Sequence, residues 1–334
     1  MSRTDPFVGL DEIEQARAAI AGTVRVTPVA ESPQLSEMLG QPVHLKLEHT
    51  QVTGSFKLRG ASNAVANLSG EECSRGVVAA STGNHGRGLA YAARAAGARC
   101  IICMSKLVPQ AKIDGIRAQG AEVRIIGRSQ DEAQEEVDRL VSEEGLTMIP
   151  PFDHRAVIAG QGTLGLELLE QVPDVATVLV PLSGGGLISG VAAALKARRP
   201  DIRVIGVSME RGAAMHECLK AGRPVPVEEL ATLADSLGGG IGLNNRLTFA
   251  MTRDLVDEVV LVSEAEIAQA IRHLYWQERQ IVEGSGAVGV AALLAGRITS
   301  AGPVVSVLSG GNIDMTQHFR IISGEDVDVT KEAA

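Results

Sequence analysis

Apolar positions along this chain follow two alternating rhythms. Runs of four or five aliphatic residues read as buried strands, and between them lie longer stretches with a period of about 3.6 residues, which read as helices. From residue 76 the pattern predicts strand 77–80, helix 86–97, strand 100–104, helix 110–119, strand 122–126 and helix 130–144. A second set follows Asp153: helix 162–171, strand 177–181, helix 190–197, strand 204–208, helices 264–280 and 286–294, and strand 304–308. Ahead of both, Asp11 is expected to cap a helix over 12–21, with Ile13, Ala16 and Ile20 inward. Thr27-Pro28 ends a short extended stretch, and 43–47 reads as a strand. Strand–helix alternation implies parallel sheets with right-handed crossovers. The expected fold class is therefore α/β with two lobes. Residues 1–75 and 152–334 would form the larger lobe, and 76–151 a smaller inserted one. A cleft between two such lobes is a favoured place for a small-molecule site.

Composition narrows the possibilities. A chain of 334 residues exceeds one compact core. It is 45% hydrophobic but only 2% aromatic, with 37 glycines, which suits an aliphatic enzyme with many tight turns. A formal net charge of −9 argues against a nucleic-acid partner, which selects basic faces. No apolar run approaches the roughly 18 residues of a membrane span. Met1 to Pro6 carry no apolar signal region. A cytoplasmic protein with no membrane partner is expected. Cys100 and Cys103 have C-x-x-C spacing, but they lie within an apolar run. Alternation puts their thiols on opposite faces, which suits core packing rather than a metal. Neither Cys73 nor Cys218 completes a zinc pattern.

Four segments carry candidate chemistry. Gly54-Ser55-Phe56-Lys57-Leu58-Arg59-Gly60 sets one lysine in a tight turn that opens a helix. A lone lysine is ordinarily a solvated surface charge. Held between Phe56 and Leu58 it is partly desolvated, which lowers its pKa and frees the amine as nucleophile and base. Such a lysine is the protein's half of pyridoxal phosphate (PLP) chemistry. The run Ser183-Gly184-Gly185-Gly186-Leu187 lies between a strand and a helix, where backbone N–H groups can converge on a phosphate. A close-packed turn would use the same residues. The spacing matches neither G-x-G-x-x-G nor a Gly-Lys-Ser/Thr ending. Ser81-Thr82-Gly83-Asn84-His85-Gly86 also follows a strand and opens a helix. Asn84 can donate to a phenolate oxygen such as that of PLP. Ser81, Thr82, Gly83 and His85 are candidates for holding a substrate carboxylate, although helix capping would explain Asn84 and His85 equally. Ser309, in Ser309-Gly310-Gly311-Asn312, follows the last strand and can bond a pyridine nitrogen. Being neutral, it leaves the ring less electron-poor than an aspartate would, which suits prompt loss of a β-leaving group.

In this order, the segments resemble the fold-type II PLP enzymes of the serine/threonine dehydratase family. The resemblance runs from about residue 8 to residue 322. It is also carried by Thr27-Pro28, Ala159-Gly160-Gln161-Gly162-Thr163 and Glu283-Gly284-Ser285-Gly286-Ala287. It implies that Lys57 is the Schiff-base lysine and takes the substrate α-proton, and that Phe56 packs against the ring. It further implies that Asn84 binds the 3′-oxygen, that Ser183, Gly184, Gly185, Gly186 and Leu187 bind the phosphate, that Glu283 flanks the ring, and that Ser309 bonds its nitrogen. The implied activity is loss of water from a β-hydroxy amino acid, followed by release of a keto acid and ammonia. A homodimer is expected on base rates alone.

Within the family, Ala234 to Gly242 and Met209 to His216 are similar to the dehydratases of hydroxyectoine utilization and to hydroxyaspartate dehydratases. A threo-3-hydroxyaspartate dehydratase, or a serine racemase on the same scaffold, is the alternative, and a non-catalytic PLP- or amino-acid-binding regulator is a third reading. Racemases of the family carry a serine where Thr82 stands, which argues against racemisation. The chain stops soon after Ser309, so feedback control by an appended domain is not expected. Some relatives bind Mg²⁺ through a Glu, a backbone carbonyl and an Asp. Glu210 and Ala214 match that set, but His216 stands in place of the Asp. Arg87 is a candidate for meeting an acidic substrate group, a solvated helix arginine being the plainer reading.

Overall fold

A computed structural model describes residues 7–81, 83–108, 110–327 and 329. The chain opens with helix α1 (Leu10–Ala19), strand β1 (Val29–Glu31), helix α2 (Pro33–Leu39) and strand β2 (Val43–Lys46). Next come α3 (Lys57–Ala66), α4 (Gly70–Arg75), β3 (Val77–Ala80), α5 (Asn84–Ala95), β4 (Cys100–Met104), α6 (Gln110–Arg117), β5 (Glu122–Ile125), α7 (Gln130–Glu144) and β6 (Thr147–Met148). Then follow α8 (Arg155–Gln171), β7 (Thr177–Pro181), α9 (Gly186–Arg198), β8 (Arg203–Met209), α10 (Ala214–Ala221) and α11 (Thr248–Leu255). The chain ends with β9 (Glu258–Val262), α12 (Glu264–Trp276), α13 (Gly284–Leu294), β10 (Val304–Val307) and α14 (Met315–Ile322).

Two sheets result, one of six strands in the order β1-β2-β10-β7-β8-β9 and one of four in the order β5-β4-β3-β6. Every pairing is parallel except β1 with β2 at an edge. Parallel strands covered by helices on both faces read as unbroken aliphatic runs, as β4, β7 and β10 do, each buried throughout. Alternation along β4 sends Cys100, Ile102 and Met104 to one apolar cluster and Ile101 and Cys103 to another. The cysteines of the C-x-x-C spacing thus lie on opposite faces. Burial pushes the Cys100 thiol up to about 12 and that of Cys103 to about 11, so both pack as inert hydrophobes. Helix α3 adds Ala61, Ala64 and Val65 to the first of these clusters.

Several helix boundaries need correction, and α12 ends at Trp276, four residues before the predicted end at 280. Helix α1 is capped at Gly9, not Asp11, because the Glu12 carboxylate reaches back to accept the Gly9 N–H at 3.1 Å. Helix α8 begins at Arg155, seven residues before the predicted start at 162. Its glycines disguise it, and the reason is close packing. A Cβ on Gly160 would stand 2.5 Å from the carbonyl oxygen of Arg59, and one on Gly60 would stand 2.9 Å from that of Val157. On the other side a Cβ on Gly190 would collide with the carbonyl of Ile158. Each helical glycine costs about 1 kcal/mol of propensity relative to alanine, which backbone-to-backbone packing offsets.

Four charged side chains are buried where α3, α8 and β2 meet. Lys46, Glu48, Arg59 and Glu167 are at most 4% exposed. Arg59 donates from Nε and Nη2 to Glu48, both at 2.8 Å, and from Nη1 and Nη2 to Glu167 at 2.6 and 2.9 Å. Lys46 Nζ donates to Glu167 at 2.5 Å and to the Thr27 carbonyl at 2.8 Å. Burial pushes the Glu48 carboxyl upward, but the charge of Arg59 outweighs it and holds the group below the usual carboxylate range. Two cations and two anions balance, so removing one strands its partners. Arg59→Leu is expected to destabilise the fold by about 3–5 kcal/mol, read as a lowered midpoint in urea unfolding.

Candidate active site

The lysine turn is strapped to the end of the central strand by backbone alone. Phe56 N donates to Ser309 O at 3.0 Å, and Gly311 N donates to Gly54 O at 2.9 Å. Gly54 sits at φ +78°, and a Cβ there would stand 2.6 Å from Asn312 Oδ1, so glycine is required on both counts. This strap places Lys57 at the first position of α3, beside Ser309.

One cavity collects the predicted cofactor residues. Phe56, Lys57, Asn84, Ser183, Gly184, Gly185, Gly186, Leu187, Glu283 and Ser309 all line it. Lys57 Nζ donates to the Pro151 carbonyl at 2.8 Å and lies 5.3 Å from the Phe56 ring centre. The lysine keeps partial exposure, but it opens into this cavity, and desolvation of the amine lowers its pKa to about 8.

Opposite the lysine, helix α9 begins at Gly186, four residues earlier than predicted, with Gly185 in the left-handed region at φ +86°. Its first N–H groups have no partner within the helix. A Cβ on Gly184 would collide with the Phe152 ring, and one on Gly186 would stand 2.9 Å from Phe152 Cα. The loop is thus a bare-backbone cradle at a helix N-terminus, of the kind that holds a phosphate. The Oγ of Ser285, in the same cavity, is buried with no hydrogen-bond partner. A cradle, a desolvated amine and an unsatisfied hydroxyl in one cavity fit PLP.

Asn84 is held from both ends. Its Nδ2 donates to Glu283 Oε1 at 2.7 Å, and its Oδ1 accepts from Asn312 Nδ2 at 2.6 Å. Asn312 N donates to the other Glu283 oxygen at 3.1 Å. Burial, with the negative charge of Asp235 beside it, raises Glu283 to about 7 despite these bonds.

The predicted substrate group is placed differently. His85 Nε2 donates to the Ile149 carbonyl at 2.8 Å, and burial with the nearby Lys57 charge lowers its pKa to about 3. It is a neutral strut and is not among the residues lining the cavity. Ser81 Oγ accepts from Gly86 N at 3.0 Å and so caps α5, with Gly83 at the N-cap. Thr82 lies outside the described residues. Ser236 and Leu237, from the stretch 236–242 expected to carry substrate specificity, also line the cavity, and Phe152, Pro181 and Ser285 line it without having been predicted. Of these last three, Ser285 alone carried a signal, within the run Glu283-Gly284-Ser285.

The Mg²⁺ reading finds no support. Among the described residues no group of three His, Cys, Asp or Glu side chains is gathered that could hold a metal. Glu210 faces Arg297 at 3.6 Å, and His216 pairs with Glu217 at 3.1 Å.

Comparison with known proteins accords with this geometry. The sequence profile described as "Pyridoxal-phosphate dependent enzyme" matches residues 20–310, and the chain belongs to that family. It is 61% identical over 318 residues to a Sinorhizobium fredii protein provisionally named a threonine dehydratase, covering 95% of this chain and 96% of that one. It is 45% identical to the L-threonine ammonia-lyase of Thermotoga maritima, covering 95% and 79%. Among solved structures, maize serine racemase superposes with a TM-score of 0.87 at 35% identity, over 95% of this chain and 97% of that one. The protein is a PLP-dependent lyase on the α/β fold of this family.

The lysine pKa gives a direct expectation. Only the neutral amine attacks an aldehyde, so uptake of PLP by the apoprotein should rise with pH through a midpoint near 8. At pH 7.5 this leaves roughly 200-fold more free amine than an ordinary lysine would have. A midpoint near the ordinary 10.5, followed by absorbance, would contradict a desolvated Lys57.

Proposed function

We propose that this enzyme removes water from a β-hydroxy amino acid, threonine- or serine-like or derived from hydroxyectoine, and releases a keto acid and ammonia. The observation that carries the reading is the meeting of Lys57, the glycine cradle, Asn84, Glu283 and Ser309 in one cavity. Bound PLP supplies an electron sink next to the substrate α-carbon. Ser183 to Leu187 hold its phosphate, Ser309 bonds its ring nitrogen, and Asn84, fixed by Asn312 and Glu283, meets its 3′-oxygen. Phe56 covers the ring. The Lys57 amine, neutral in a large fraction near pH 8, takes the α-proton at Nζ. The hydroxyl of Ser309 carries no charge, which favours early departure of the β-hydroxyl over a long-lived carbanion.

The loop wording at Ala234 to Gly242 supports a substrate from hydroxyectoine catabolism. A second reading, racemisation, draws on the likeness to maize serine racemase. Thr82, in place of a serine, counts against it. Division into lobes at 1–75 with 152–334 and at 76–151 belongs to the same reading, since the four-stranded sheet takes all its strands from β3 to β6. So do a cytoplasmic setting, favoured by four free cysteines, and a symmetric dimer, the commonest assembly. No described helix is long and apolar enough to cross a membrane.

The test is keto-acid release from threonine, serine, threo-3-hydroxyaspartate, hydroxyectoine and its ring-opened products. At least one should yield a keto acid, and Lys57→Ala should lower that rate by about a thousandfold or more. Silence across the panel from PLP-loaded protein would refute the dehydratase reading. Scrambled chirality in recovered serine, without keto acid, would favour the racemase.

A further inference from the structure

A second cavity stands back to back with the first. Glu283 lines both, and the neighbouring pairs Asp235/Ser236 and Gly284/Ser285 contribute one residue to each. Arg87 lines the second cavity. It lies on α5 three residues beyond Asn84, on the same helix face and about 4.5 Å further along the axis. Its Nη1 donates to Asn312 Oδ1 at 3.1 Å, and Asn312 in turn donates to Asn84. The guanidinium is therefore wired to the cofactor cavity through one amide.

The charges of this second cavity do not cancel at Arg87. Lys112 is paired with Asp235 at 2.7 Å, and Arg320 with Glu325 at 2.7 Å. Asp314 is occupied as the N-cap of α14, accepting from the N–H groups of Thr316 and Gln317 at 2.9 Å. Glu283 accepts from Asn84 and Asn312. Among the described residues Arg87 makes no salt bridge; it is half-buried, desolvation disfavours its cation, and the charge of Glu283, a carboxylate already shared by Asn84 and Asn312, offsets this only in part. In this position the guanidinium rests against Gly115 of α6, where a Cβ would stand 2.2 Å from Nη2. A partly desolvated cation that no carboxylate contacts is a site for an anion from outside.

We propose that Arg87 is a specificity residue that binds a carboxylate on the substrate side chain, so that the preferred substrates are β-hydroxy amino dicarboxylic acids. This rests on the dehydratase reading and names its substrate class. The α-carboxylate, amine and β-hydroxyl belong to the cavity of Lys57, and the second carboxylate reaches past Asn84 to the guanidinium.

The test uses the PLP-loaded enzyme and two readouts. The first is the ratio of kcat/KM for threo-3-hydroxyaspartate to that for threonine. Arg87→Gln should lower the ratio by about tenfold to a hundredfold, and Arg87→Lys should restore part of it. The second is calorimetric binding of succinate against butyrate, neither of which can react. Succinate should bind the wild-type enzyme at least about tenfold more tightly, and Arg87→Gln should abolish that difference. An equal loss of activity on both substrates would mean that Arg87 only positions Asn312 and Asn84, and would overturn the proposal. Equal binding of succinate and butyrate would overturn it as well. Absence of keto acid from every substrate, with succinate still preferred, would instead refute the dehydratase reading alone.

Discussion

The rest of the structure depends on one buried guanidinium. Arg59 is two residues beyond Lys57 on the same helix, and its fork is satisfied by two buried carboxylates from different elements. Those carboxylates tie α3 to the turn after β2 and to α8. Lys46, on β2, closes the balance. A charge cluster this deep is weak evidence for stability as such, because desolvation consumes most of the attraction. Its value here is geometric. It tolerates one arrangement of α3, and that arrangement aims Lys57 into the cavity. The glycine contacts of α3, α8 and α9 act in the same direction, since backbones this close leave little room for a helix to slide.

The site then inherits its chemistry from desolvation. Three titratable groups around it are moved from their ordinary values mainly by burial: Lys57 down to about 8, Glu283 up to about 7 and His85 down to about 3. Each shift favours the neutral form. A neutral amine can accept a proton, a half-protonated Glu283 can sit beside a ring without imposing a full charge, and a neutral His85 serves as a strut. Arg87 is the exception, because a guanidinium stays charged whatever its surroundings. That contrast sets it apart from its neighbours.

Much of this was legible in the sequence, for identifiable reasons. Strands β3, β4 and β7 were read correctly because parallel strands buried along nearly their whole length leave unbroken aliphatic runs. The residues expected to hold the cofactor stood out in the sequence as small-residue turns between a strand and a helix, and the fold brings them to one cavity. Helix α8 was cut short because its glycines serve tertiary packing against local propensity. His85 was misplaced because a sequence does not show which way a side chain at a helix start points. Phe152 reaches the cavity from a segment with no pattern of its own, so only the fold could bring it there, whereas Ser236 and Leu237 come from the stretch 234–242 that the resemblance had marked. The contact of Arg87 with Gly115 was also invisible, since the two lie on different helices.

The central claim is that burial and backbone strapping prepare the amine of Lys57, and no other, to carry the cofactor. Borohydride reduction of the PLP-loaded protein, followed by tryptic digestion and mass spectrometry, tests it most directly. The account predicts a single pyridoxyl adduct, on the residue-57 amine. An adduct spread over surface lysines, or none on that peptide, would contradict it.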